Sequence, residues 1–110
     1  MVQLTERRCT PCRGGTPPLK GEAVKALMTE LDKSWRVIND HHLEREFRFK
    51  DFKEALGFAN SIGQLAEEEN HHPEICLGWG RVKVTLFTHK IGGLSENDFI
   101  LAAKIDQLPG

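Results

Sequence analysis

Residues 68–80, EENHHPEICLGWG, set two adjacent imidazoles in front of a proline, directly after a run of acids. Proline disfavours helical geometry for the residue before it, so His72 is pushed toward extended backbone and the pair is expected at a helix-to-strand corner. Imidazole is the side chain whose unperturbed titration falls near neutral pH, and a histidine projecting from such a corner into a cavity can give or take a proton. A third candidate, His89, ends the strongest strand pattern in the chain, RVKVTLFTH, and begins a loop, where sites tend to be built. The remaining pair of the five histidines, His41-His42 in NDHHLERE, opens a strand among charged neighbours and is assigned no chemistry: a solvated turn explains it.

Metal binding is not expected. Adjacent histidines diverge in extended chain, and the usual i,i+4 helical or His-x-His strand spacing is missing, even if Glu74 or Cys76 is admitted as a further ligand. Cys9-x-x-Cys12 is half of a zinc or redox motif and lies away from any strand-to-helix junction, which favours two reduced thiols or an incidental disulfide. Gly92 and Gly93 in IGGLS precede a helix N-terminus and suit either a plain turn or an anion or carbonyl site. Trp79, flanked by Gly78 and Gly80, suits either loop packing or a stacking wall for a flat ligand. No nucleophile elbow, phosphate loop or dinucleotide fingerprint is present.

The elements that must position these groups follow from periodicity. Val24, Leu27, Met28 and Leu31 lie at i, i+3, i+4 and i+7 of a first helix. SWRVIND and HHLEREFRF form two strands around Asn39-Asp40, with Leu43, Phe47 and Phe49 sharing one parity against His42, Glu44, Glu46 and Arg48. Asp51 and Glu54 suit a helix start, and Phe52, Ala55, Leu56, Ala59, Ile62 and Ala66 form the expected apolar stripe. Glu67, Glu68 and Glu69 then stand at the helix C-terminus, a few tenths of a kcal/mol unfavourable each for the dipole, which hints at a role beyond stability. EICLGWG is a short strand entering a glycine turn; Val82, Val84 and Leu86 alternate with Lys83, Thr85 and Phe87 in the next. Ser95 and Asp98 are spaced as a capping box for a last helix. The expected fold is α+β, in the order α-β-β-α-β-β-α, a four-stranded antiparallel sheet with helices packed on one face. Residues 1–19, rich in Pro and Gly, are expected as an N-terminal arm, and residues 20–110 as a single domain.

The bulk numbers are consistent with one core of 110 residues. A net charge of −1 argues against a nucleic-acid binder, and the apolar runs are too short to cross a membrane. No charged-then-apolar leader is visible and the cysteines are three, an odd number, so a reducing cytoplasm is expected.

Taken together, ENHHPEI, VTLFTH, GGLSENDF and the upstream FRFKDFKEALGF resemble the pterin-4a-carbinolamine dehydratase family, from about Pro17 to Leu108. The arm CTPCRGGTPPL is similar to that of bacterial and plant members. The resemblance implies dehydration of 4a-hydroxytetrahydropterin to quinonoid dihydropterin, which recycles the pterin of aromatic amino-acid hydroxylases without a metal or bound organic cofactor. It implies His71, His72 and His89 as the catalytic histidines, with Glu67 the best match for the acid before the pair and Asp98 for the helix-cap acid. Pro73 and Trp79 join them as supporting positions. On this basis His71 and His89 are expected to share acid and base duties, His72 to orient the pterin, and Glu67 to hold one imidazole's tautomer. Cys76 departs from the family, which often has an aromatic there. Members form dimers or tetramers, so a homodimer or homotetramer is expected, with a hydroxylase as a possible partner. Animal members also serve as dimerisation cofactors for a homeodomain transcription factor. A protein-binding module is therefore the rival reading, and a related pterin role in molybdenum-cofactor metabolism a third.

Overall fold

The computed structural model describes residues 3–11 and 14–109. Three α-helices and four strands follow in the expected order: α1 (Glu22–Met28), β1 (Arg36–Ile38), β2 (His42–Arg48), α2 (Phe52–Glu69), β3 (Glu74–Gly78), β4 (Arg81–Leu86) and α3 (Glu96–Asp106). The strands form one antiparallel sheet in the order β1-β2-β4-β3. Asn39 and Asp40 both take positive φ, near 54°, which is the turn geometry that joins two twisted strands tightly.

Register places the apolar parities on one face. Leu43 pairs with Leu86 and Phe47 with Val82, while Ile75 and Leu77 of β3 oppose Val84 and Val82. Leu43, Val82, Val84 and Leu86 are fully buried against the helices, whereas Glu44, Glu46 and Lys83 occupy the opposite, solvated face. Arg45 is the polar exception on the packed face. It is paired with Asp106 at 2.7 Å and lies over the Phe47 ring, and Asp106 also accepts from the indole of buried Trp35.

Helix α2 starts as expected, with the Asp51 carboxylate accepting from the Glu54 N–H. Its buried stripe differs from the expectation: Ala55, Phe58, Ile62 and Ala66 face the core, while Phe52 and Leu56 are exposed. Residues 55, 58, 62 and 66 keep strict i, i+3, i+7, i+11 spacing, and Phe58 packs on Phe47 and Phe49 of the sheet. A stripe drawn through Leu56 is rotated off that line.

Helix α3 is buried almost all round, with eight of its residues buried, Asn97 and Asp98 among them, and the N-terminal segment packs against it. Leu4 is buried in a short 3₁₀ turn, and Arg7 pairs with Glu96. Asn97 exchanges two hydrogen bonds with the Thr10 backbone: Thr10 N–H donates to Oδ1 at 3.0 Å and Nδ2 donates to the Thr10 carbonyl at 2.5 Å. Cys9 N–H donates to Glu69, which also takes Lys104 at 2.6 Å. Burial, and after it the neighbouring Glu69 charge, push the Cys9 thiol up to about 12, which disfavours the thiolate. Its expected companion in the motif, Cys12, lies outside the described residues.

Two predictions follow from these contacts. Phe58→Ala is expected to cost about 3–5 kcal/mol in urea unfolding and Leu56→Ala under about 1 kcal/mol. Equal losses would place the core stripe elsewhere. Burial alone would raise the Glu69 carboxyl, but the Lys104 hydrogen bond and the Cys9 N–H outweigh it and hold the group below its ordinary 4.5. Because the unfolded chain binds that proton more readily, this contribution is complete above about pH 4.5 and fades as pH falls below it. Unfolding midpoints measured against pH are expected to drop on acidification, with a shallower drop in Glu69→Gln.

Candidate active site

The corner between α2 and β3 is made by Asn70, not by the proline alone. Asn70 takes left-handed geometry (φ 52°, ψ 39°) and ends the helix three residues before Pro73, with the His71 N–H returning to the Ala66 carbonyl. Pro73 then disfavours helical geometry for His72, just ahead of β3. The two imidazoles diverge from this corner, as adjacent side chains in extended chain must.

His71 turns inward. Its Nε2 lies 2.6 Å from Oδ1 of Asp98, which is completely buried. The other oxygen of Asp98 accepts from the Thr88 hydroxyl and from the Ser95 N–H, both at 2.9 Å. A carboxylate only accepts, so Nε2 of His71 is the donor. Thr88 spends its proton on Asp98, and Ser95 Oγ, 2.7 Å away, therefore donates to Thr88. The capping box expected from Ser95 and Asp98 is present, and the same carboxylate that caps α3 also holds an imidazole. With Nε2 committed, His71 keeps Nδ1 for other work.

His72 turns outward, and its Nε2 contacts Glu67, one turn back on α2; both side chains are more than half exposed. The terminal acids thus divide their duties. Glu67 holds His72, and Glu69 holds the N-terminal segment. His89 opens a single 3₁₀ turn, His89–Ile91, closed by Gly92 at φ 62°. Gly93 bridges back to Thr88, its carbonyl accepting the Thr88 N–H at 2.8 Å. A Cβ at Gly93 would stand 2.7 Å from Pro18, so only glycine lets that segment pass.

These elements enclose a cavity of about 300 Å³ lined by His71, His72 and His89 together with Phe87, Asn97 and Thr10. The size suits the lower end of small-ligand sites. Phe87 packs against His89 with ring centroids 4.2 Å apart. It also meets His41, centroids 4.9 Å apart, so one histidine of the pair assigned no chemistry contacts the cavity wall. Among the described residues, no group of three or more His, Cys, Asp or Glu side chains is arranged to hold a metal ion.

Of the expected site residues, the three histidines meet in one cavity, Glu67 and Asp98 each hold one of them, and Pro73 sets the corner. Trp79 is not brought there. It sits 70% exposed on the β3–β4 turn beside Arg48 and Arg81, at the far end of a hairpin roughly 16 Å long. Its glycine flanks make a tight hairpin, and the strand length carries the indole away from the histidine corner. Gly92 and Gly93 form the plain turn. Sequence reasoning gave no role to Thr88, Asn97 or the Thr10-Pro11 stretch. All of them stood inside stretches that carry the family resemblance, VTLFTH, GGLSENDF and CTPCRGGTPPL, but nothing in those stretches pointed to these residues' places beside the histidines.

The chain is similar to known proteins over most of its length. The family model for pterin 4 alpha carbinolamine dehydratase matches residues 17–108. A protein of Alkaliphilus metalliredigens, provisionally named as such a dehydratase, is 61% identical over 97% of this chain and 96% of its own length. A crystal structure of a transcriptional coactivator/pterin dehydratase from Brucella melitensis superimposes with a TM-score of 0.73 at 35% identity, covering 80% of this chain and 94% of that one. A pterin dehydratase-like protein described as a RuBisCO assembly factor in the alpha-carboxysome gives 0.56 at 28% identity, covering 66% of this chain and 86% of its own. With the model spanning nearly the whole described chain, this protein belongs to the pterin-4-alpha-carbinolamine dehydratase family.

Proposed function

We propose that the protein dehydrates 4a-hydroxytetrahydropterin to quinonoid dihydropterin, with His71 and His89 as its proton-transfer groups and His72 as the group that orients the pterin. The observation that carries this reading is the Asp98–His71 contact beside His72 and His89 in one cavity. The reaction needs one proton delivered to the 4a-hydroxyl oxygen, which leaves as water, and one removed from N5 as the C4a=N5 bond forms. Protons balance, and no electrons are exchanged with an outside partner.

His71 is the base for N5: Asp98 occupies Nε2, which leaves Nδ1 as the accepting nitrogen and favours the imidazolium that forms. His89, on its exposed turn, delivers the proton to the departing oxygen. His72, held by Glu67, orients the ring system. Positioned proton transfer of this kind contributes about 10²–10⁴-fold. Cytoplasmic residence, assembly as a homodimer or homotetramer, and supply of an aromatic amino-acid hydroxylase belong to the same reading. Exposed Phe52 and Leu56 on α2 support self-assembly.

The rival, a protein-binding module, draws on the assembly-factor role described for one structural neighbour. The three imidazoles favour catalysis, because a scaffold has no need of three histidines facing one cavity. The two separate by turnover of freshly generated 4a-hydroxytetrahydropterin. Wild type is expected to accelerate dehydration, and His71→Ala and His89→Ala to lose about 10²-fold or more with circular dichroism unchanged. No acceleration over buffer by wild type would overturn the assignment.

A further inference from the structure

The N-terminal segment reaches the cavity, and none of the catalytic chemistry above uses it. Thr10 and Pro11 line the space beside the three imidazoles. They precede residue 17, where the match to the family model begins. Their position is not incidental packing of a loose end, because three separate anchors converge on it. Asn97 is 7% exposed and satisfies both backbone groups of Thr10. Glu69, fixed by Lys104, takes the N–H of Cys9 one residue earlier. Arg7 pairs with Glu96 and Leu4 is buried behind them. Asn97 is also the residue next to Asp98 on α3, so one turn of helix fixes both the imidazole at 71 and the wall that faces the same space.

We infer that Thr10 and Pro11 form the wall that receives the substituent at C6 of the pterin, and that Asn97 is the positioning residue that holds this wall. The inference rests on the dehydratase reading. C6 is bonded to N5, the atom that must surrender its proton to an imidazole. With N5 at the histidines, a C6 substituent must lie within a few bond lengths of them, along the rim of the same cavity. Thr10 brings a hydroxyl and Pro11 a rigid apolar ring with no N–H to satisfy, a pairing that suits a short hydroxylated alkyl chain. The Thr10 N–H is spent on Asn97 and its carbonyl already accepts from the same amide, so recognition rests mainly on the two side chains.

The test measures kcat and KM for wild type, Asn97→Ala and a Thr10→Gly/Pro11→Gly double variant with two substrates. One is a 4a-hydroxytetrahydropterin carrying a hydroxylated three-carbon chain at C6, the other its 6-methyl analogue. Both variants are expected to raise KM for the long-chain substrate about three- to tenfold. Turnover at saturation and KM for the 6-methyl substrate should stay within about twofold. Arg7→Ala, which removes the outermost and most exposed of the three anchors, is expected to move the KM ratio less than Asn97→Ala does. Should Asn97→Ala fold poorly, the double variant, at two exposed positions, still decides. An unchanged KM ratio, or kcat falling alike for both substrates, would overturn the inference while leaving the dehydratase reading intact. Absence of turnover in wild type would instead overturn the dehydratase reading, and this inference with it.

Discussion

A single buried carboxylate organises the functional end of the molecule. Asp98 has no exposed surface, and its oxygens receive the His71 imidazole, the Thr88 hydroxyl and the Ser95 amide. Leaving a buried charge without its partners costs about 3–5 kcal/mol, so these donors are obligatory rather than optional. Each comes from a different stretch of chain: the α2–β3 corner, the end of β4 and the start of α3. Capping the helix, joining the strand end and fixing the histidine are therefore one interaction viewed from three sides.

The rest of the site is arranged around that point by backbone conformation. Left-handed Asn70 ends α2 so that His71 turns in and His72 turns out. Gly92 and Gly93 fold the β4–α3 connection tightly enough to hold His89 above the same space, with Pro18 packed where a side chain would otherwise stand. The two histidines of the pair consequently experience different surroundings. One is held by a buried acid and the other by an exposed one, whose Coulomb attraction is weakened by solvent. That asymmetry suits a division between a proton-transfer group and an orienting group.

The sequence exposed most of the fold because the sheet has one wet face. Alternation in RVKVTLF and in LEREFRF, broken at Arg45, set strand identity and facing, and the tight Asn39-Asp40 turn fixes the β1–β2 register. The Asp51 and Ser95–Asp98 helix starts were legible as local capping patterns. The stripe on α2 was misdrawn because Leu56 and Phe52 are as apolar as Phe58, and only the packing of Phe47 and Phe49 chooses between them. Trp79 was drawn toward the site by its glycine neighbours, but distance along a strand is a tertiary fact. Asn97 and Thr10, 87 residues apart, leave no local signature of their pairing. The excess of acids at the end of α2 did carry information, since Glu67 and Glu69 each hold a partner that periodicity could not name.

The measurement that bears most directly on this account is the tautomer of His71, read from ¹⁵N chemical shifts and long-range ¹H–¹⁵N couplings in the ligand-free protein above neutral pH. Donation to Asp98 requires the proton on Nε2 and a bare Nδ1, and Asp98→Ala should release that preference. A bare Nε2 with the proton on Nδ1 would contradict the account, because Asp98 would then not be accepting from His71 and the base assigned to N5 would be the wrong nitrogen.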